Sequence, residues 1–185
     1  MRATLLILSL LLSFTKVTSQ INPNDVLGSD NFKIKESKYY DTSYGLYPIV
    51  NSSYEIEIRL YEYEMMGSRC QILCFDGNKW TGKTMGIIRY AQESQKVLKP
   101  GLNFNNILDS LLKNNIFKLP DQSKLNLKGD NTNGANYTIS YKVGNKMRSY
   151  DFSNPKYYLK MNKGYKELEN YIAIVGLFNS IYILR

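Results

Sequence analysis

The segment GNKWTGKT, residues 77–84, matches the phosphate-binding pattern G-x-x-x-x-G-K-[ST] at each fixed position. In nucleotide hydrolases this loop follows a strand and directs backbone N–H groups at the phosphates, and the helix that begins there adds its dipole. No other stretch of the sequence matches a recognised catalytic pattern. The first question is therefore whether this segment binds a nucleotide.

The residues that follow the motif do not favour a helix. Residues 84–89 include a glycine and three β-branched residues, a composition with low helix propensity. The sequence also lacks the alternating βαβα order in which phosphate loops occur, and it has no aspartate for magnesium at the end of a second apolar strand. We therefore predict that the protein binds no nucleotide.

The motif predicts a hairpin instead. Asp76-Gly77 and Thr81-Gly82 are turn sequences, because glycine tolerates positive φ and aspartate bonds to the backbone of its own turn. This arrangement leaves Lys79 and Lys83 in solvent, with Trp80 at the tip or folded back on the sheet. On this interpretation Lys83 contributes neither to stability nor to ligand binding.

The absence of histidine limits the remaining chemistry. Ser-His-Asp and Cys-His arrangements are excluded, so general acid–base catalysis would fall to carboxylates, tyrosine or lysine. Glu55 and Glu57 are about 7 Å apart on one strand face, as are Glu62 and Glu64, a spacing compatible with glycoside hydrolysis. A solvated strand face explains the same alternation, so we predict no catalytic residue.

Cys70 and Cys74 lie in RCQILC, which has the composition of a strand. Four strand residues span about 13 Å, too far for a disulfide. A zinc site would need four ligands, and two thiols without histidine do not supply them. We predict two free, buried thiols on one strand face, with no metal or cofactor.

The chain has a net charge of +8, and after the predicted signal is removed the excess positive charge lies in the C-terminal half, which has twelve basic and six acidic side chains after Pro100. Between residues 142 and 166, seven basic side chains and several tyrosines accompany a single acid, Asp151. Such mixing pairs cations with phosphate or sulfate groups and stacks rings on aromatic faces; a solvated lysine face over core tyrosines is the alternative. The candidate binding residues are Lys142, Lys146, Arg148, Tyr150, Lys156, Tyr157, Tyr158, Lys160 and Lys163, and the expected partner is an anionic glycan, a lipid headgroup or a protein.

Strand signals begin at YEIEIRL, residues 54–60, where apolar and charged residues alternate. Tyr61 and Tyr63 continue at the opposite parity, and a bulge near Leu60 would explain the shift. Further strands are predicted at residues 69–76 and 85–90 and in a hairpin around Gly144-Asn145. An edge strand is expected near residues 32–35.

Two helices are predicted. Residues 103–115 show the clearest helical spacing of apolar residues, and Asn154 before Pro155 starts a second helix, bent or interrupted near Gly164. The apolar tail, residues 171–184, belongs to the core and could end as a strand. The sequence thus predicts a single α+β domain at residues 54–185, with an antiparallel sheet of about five strands and two helices packed on one face, preceded by an irregular segment at residues 20–53.

Residues 1–19 have the features of an export signal. Arg2 precedes a run of about twelve apolar residues, too short to span a bilayer, and small residues occur at Val17 and Ser19 before Gln20. We expect export to the periplasm or the medium, with no transmembrane segment in the mature chain.

The layout resembles the small, poorly characterised exported proteins of Bacteroidota. The resemblance rests on a signal ending in Ser-Gln, a strand leading into FDGNKW, a helix that closes on FKLPDQ, and YDFSNPKYY before a C-terminal helix. It implies export and an α+β domain, and it supplies no catalytic residues.

Two functions follow as hypotheses. The first is an exported, non-catalytic binding or interaction protein; the alternative is a carboxylate-dependent hydrolase acting on cell-surface carbohydrate. Two acidic side chains converging in a concave, tyrosine-lined pocket would favour the hydrolase.

We predict that the mature protein begins at Gln20, because Val17 and Ser19 fit the small-residue pattern before the cut. Intact-mass measurement of protein from the periplasm or medium tests this. A mass that retains Met1 would refute cleavage.

Overall fold

The computed structural model describes residues 21–28, 42, 44–65, 67–88, 96–98, 102–130 and 134–184. The signal segment and the expected edge strand at residues 32–35 lie outside these ranges. The fold is α+β, as predicted. Its strands are β1 (Ile56–Glu64), β2 (Gly67–Phe75), β3 (Trp80–Ile88), β4 (Lys96–Leu98), β5 (Asn136–Val143), β6 (Lys146–Ser153) and β7 (Tyr182–Leu184); its helices are α1 (Phe104–Lys113), α2 (Pro155–Met161) and α3 (Lys166–Ile181).

The main sheet has five antiparallel strands in the order β3-β2-β1-β5-β6, and β4 pairs with β7 in a separate two-stranded sheet. Strand β1 is central, and its pairing with β2 and β5 runs without a skipped residue from Ile56 onward. The predicted bulge near Leu60 is therefore wrong. Because the parity never shifts, Tyr61 and Tyr63 lie on the same face as Glu57 and Arg59.

The alternation of β1 divides the sheet into two faces. On the apolar face, Ile56, Ile58 and Leu60 are at most 1% exposed. The buried cluster around them also contains Leu108 of α1 and Phe178 of α3. The helical spacing predicted for residues 103–115 is thus confirmed in α1, and the expectation that the apolar tail belongs to the core is confirmed as well.

Buried tyrosines tie the segment after α1 to the sheet. The hydroxyls of Tyr141 and Tyr150 donate to the backbone carbonyls of Phe117, at 2.8 Å, and Ile116, at 2.9 Å. Each ring fills core volume while its hydroxyl satisfies a carbonyl that has left the helix. These two contacts position residues 114–121, which lead into the short helical turn Gln122–Lys124.

The predicted second helix is two helices. Pro155 occupies the first turn of α2, and Gly164, at φ +92°, separates α2 from α3 because that conformation disfavours any residue with a Cβ. The predicted interruption is confirmed, and the final strand left open by the sequence is β7.

The motif at residues 77–84 forms part of a hairpin. The Asp76 carboxylate accepts from the backbone N–H groups of Asn78 and Lys79, both at 2.9 Å, so the Asp76-Gly77 turn is confirmed. The second predicted turn is wrong: Thr81 and Gly82 lie inside β3, which begins at Trp80 rather than at residue 85. A strand, not a helix, therefore follows the glycine-rich turn.

Candidate functional site

The polar face of the sheet contains a buried ion pair on β1. Glu57 and Arg59 are only 4% and 3% exposed, and Arg59 Nε lies 2.6 Å from Glu57 Oε1. The expectation that Glu57 belongs to a solvated strand face is wrong. Residues 44–54, which we call the strap, cover this part of the face and remove it from solvent.

The strap is bonded to the ion pair and to β5. Arg59 Nη1 donates to the carbonyl of Tyr47 at 3.0 Å, and the Ser52 hydroxyl donates to the second carboxylate oxygen of Glu57. Lys142 of β5 donates to the carbonyl of Tyr54 at 3.2 Å. These contacts satisfy the buried charges and fix the strap on the sheet.

A cavity of about 370 Å³, the strap cavity, lies between the strap and the sheet. Its floor includes the ion pair together with Cys74, and Thr81 and Lys83 of the phosphate-loop motif also line it. Burial raises the pKa of the Cys74 thiol to about 12, so the thiol is protonated at neutral pH. Neither cysteine forms a disulfide and both are buried, as predicted.

A second and larger cavity, of about 660 Å³, lies at the β6 edge of the sheet and is called the acidic groove. Two aspartates and two tyrosines line it together with amide and hydroxyl side chains. Its lining residues are Tyr63, Asp121, Gln122, Ser123, Leu127, Gly129, Asn136, Thr138, Asp151, Phe152, Ser153 and Tyr158.

The polar groups of the acidic groove are held in place by one another. Thr138 donates to Asp151 at 2.6 Å, while the Ser123 hydroxyl donates to Asp121 at 2.6 Å. The backbone N–H of Asp151 in turn donates to the second carboxylate oxygen of Asp121, at 3.2 Å. The groove is therefore preorganised: its acceptors are oriented before any ligand arrives.

The short helical turn Gln122–Lys124 also caps the sheet edge. The side chains of Asp121 and Gln122 accept from the backbone N–H groups of Asp151 and Ser153, the latter at 2.8 Å. These N–H groups point away from β5, toward the outer side of β6, and another strand could otherwise pair with them there. Side chains that block the edge thus form one wall of the groove.

The predicted basic residues do not form one continuous surface. Tyr150 is in the core, 1% exposed, and burial raises its pKa well above the usual value. Lys142 is bonded to the strap, and Lys146 donates to the carbonyls of Pro23 and Val26. Arg148 stacks on the ring of Tyr150, 5.4 Å from its centroid.

The remaining members of the predicted set lie on or beside α2. Lys156, Lys160 and Lys163 are exposed. Tyr157 and Tyr158 are half-buried and pack edge to face, with ring centroids 5.4 Å apart, and Tyr158 also lines the acidic groove. Binding by the exposed lysines stays a prediction.

The second pair of glutamates noted in the sequence, Glu62 and Glu64, also does not form a solvated face, because Glu62 is buried. Glu62 is 8% exposed and forms an ion pair with Arg69, whose Nε lies 3.1 Å from its carboxylate. Burial and the neighbouring Glu62 raise the pKa of Tyr137 above its usual value. Glu62 therefore has a structural partner on the apolar face of the sheet.

Sequence reasoning missed Asp121 and Asp151 as a pair. Thirty residues separate them, so no local spacing joins them. The sequence PDQS, residues 120–123, does carry a weak signal, because aspartate is a preferred N-cap residue, and Asp121 caps the turn Gln122–Lys124.

Within the described ranges, no group of three or more acidic or thiol side chains could hold a metal ion. In the same part of the chain, no helix is both long and apolar enough to cross a membrane. Comparisons with protein-family models, with curated proteins and with solved structures found no match for this chain.

We predict that replacing Lys156, Lys160 and Lys163 together with glutamate weakens retention on a heparin column. Exposed cations that neutralise a polyanion release its counterions, so wild-type retention should also fall steeply with salt. The melting temperature should hardly change, because all three side chains are exposed.

The matched control replaces three exposed lysines elsewhere, Lys79, Lys113 and Lys124, by glutamate, which gives the same change in net charge. Retention that is unchanged in the α2 variant, or lowered equally in both, would rule out a binding surface on α2.

Proposed function

We propose that the protein is an exported, non-catalytic binding protein whose ligand site is the acidic groove. The observation that carries the proposal is the groove itself, a cavity of about 660 Å³ in which carboxylate, amide and hydroxyl groups converge beside two tyrosines. Its volume lies within the range typical of small-molecule sites.

The ligand class that this lining suits is neutral and rich in hydroxyl groups, such as a glycan. Carboxylates and amides accept hydrogen bonds from sugar hydroxyls, and a tyrosine ring offers an apolar face beside a polar tip. The charges of Asp121 and Asp151 would repel an anion. A polyanion, if one binds, should therefore contact the α2 lysines and not the groove.

The proposal includes export after removal of residues 1–19, as in the small Bacteroidota proteins that the chain resembles. It also treats residues 54–185 as one domain with its helices on one face of the sheet. The shared buried cluster of β1, α1 and α3 supports this, because side chains of all three pack in it.

A carboxylate-dependent hydrolase is the second candidate, because two aspartates do converge in a tyrosine-lined cavity. The hydrogen bonds of Asp121 weigh against it. One of its oxygens accepts from Ser123 and the other from the backbone of Asp151. A substrate would have to displace these bonds before Asp121 could take part in proton transfer.

Affinity electrophoresis in gels that contain neutral polysaccharides (dextran, laminarin or xylan) tests the binding proposal. We predict that at least one polysaccharide retards the protein and that Asp151→Asn weakens the retardation about fivefold, because a hydrogen bond to a charged acceptor is replaced by one to a neutral acceptor, a difference of about 1 kcal/mol. Asp109→Asn, on the exposed face of α1, is the matched control and should bind as the wild type does.

Two outcomes would contradict this account. Retardation that Asp151→Asn leaves unchanged would place binding outside the groove. Release of reducing sugar by the wild type, abolished by both Asp121→Asn and Asp151→Asn, would instead establish the hydrolase.

A further inference from the structure

The strap cavity is a second site, separate from the acidic groove. Among the residues that the structure describes, the two cavities share no lining residue. The strap cavity lies over β1, β2 and β3, whereas the acidic groove lies at the β6 edge. At about 370 Å³, the strap cavity has room for a small organic molecule.

The two charged side chains in the floor of the strap cavity already have hydrogen-bond and ion-pair partners. Glu57 and Arg59 bond to each other and to the strap through Ser52 and Tyr47. A ligand therefore meets a floor with balanced charge and fixed geometry, and it does not have to break the ion pair in order to bind.

Lys83 supplies a positive charge that is not part of this ion pair. It projects from β3 at the rim of the cavity, its side chain is exposed, and no acid or other hydrogen-bond partner contacts it in the part of the chain that the structure describes. The thiol of Cys74 adds no opposing charge, because burial keeps its pKa at about 12. The local field at the rim is therefore positive.

The strap contributes two tyrosines to the cavity lining, Tyr47 and Tyr54, together with the apolar Leu46 and Pro48. Tyr47 lines the cavity yet is 83% exposed. The backbone of Tyr47 is fixed by its bond to Arg59, so the ring is anchored beside the cavity without being packed in the core. An exposed ring on an anchored backbone is suited to stacking on a flat ligand.

We propose that the strap cavity binds a small aromatic anion, with its ring against Tyr47 and its negative group paired with Lys83. This inference revises the view that Lys83 is a surface lysine without a role in binding. It is independent of the proposed function, since neither the site nor the ligand class is shared.

The test uses two fluorescent probes that differ by a single charged group. 1-Anilinonaphthalene-8-sulfonate carries a sulfonate, and N-phenyl-1-naphthylamine is the same ring system without it. We expect the sulfonate probe to bind with one-to-one stoichiometry. Lys83→Met should weaken that binding about fivefold at low salt, the order expected for one exposed ion pair, and leave the uncharged probe unaffected.

Two further variants locate the site. Lys79→Met removes an exposed lysine of the adjacent turn, which does not line the cavity, and should change neither probe. Thr81→Trp places an indole in the cavity without changing the charge and should abolish binding of both probes.

The proposal is overturned if the sulfonate probe does not bind, if Lys83→Met and Lys79→Met behave alike, or if Thr81→Trp leaves binding intact. Because Lys83 and Lys79 are both exposed, their variants should fold as the wild type does. A null result for Lys83→Met would thus be decisive.

Discussion

The buried ion pair between Glu57 and Arg59 is the interaction on which the rest of the polar face depends. Removing two charges from water costs several kcal/mol per ion, and their attraction offsets this only when the remaining hydrogen-bonding groups are satisfied. The strap satisfies them: Ser52 bonds the carboxylate and the carbonyl of Tyr47 accepts from the guanidinium. Strap and ion pair therefore require each other, because the pair would be left partly unsatisfied without the strap, and the strap would lose its anchor without the pair.

This arrangement makes one face of a sheet into two different environments. Over β1, β2 and β3 the strap closes a cavity whose floor has balanced charge and whose lining includes the exposed Lys83. At the β6 edge, Thr138 and Asp151 line the acidic groove. The turn Gln122–Lys124, which caps the sheet edge, forms one wall of this groove. The polar residues of the strands thus supply oriented hydrogen-bonding groups on a rigid support, which is the usual requirement for selective binding. The charges of the two sites are opposite, so the ligands we propose for them differ in charge as well.

Local sequence patterns predicted the elements whose conformation depends on residues close together in the sequence. The apolar spacing of α1, the break at Gly164 and the tight hairpin at Gly144-Asn145 depend on residues within one or two turns of each other. Burial of Glu57 and Arg59 could not be predicted in this way, because alternation shows which residues share a face but not whether another segment covers that face. The strap has no periodicity that would reveal its position. The burial of Tyr150 could have been predicted, because the alternation of the strand places its ring with Phe152 on the apolar face. Tyr150 was instead proposed as a binding residue because of the basic residues near it in the sequence, a criterion that does not consider which face a side chain occupies.

Hydrogen exchange of the strap amides tests the central claim most directly. The amides of Asn51 and Ser52 donate within a short helical turn, so their protection reports whether the strap stays on the sheet. In Arg59→Met the account predicts that peptides covering residues 44–54 exchange at least about tenfold faster, since losing a single partner of a buried pair costs about 3–5 kcal/mol, while peptides from α3 keep most of their protection. Arg69→Met, which breaks the more exposed pair with Glu62, should leave the strap protected. Equal protection of the strap in wild type and Arg59→Met would contradict the account, as would a loss of protection spread evenly over the whole chain.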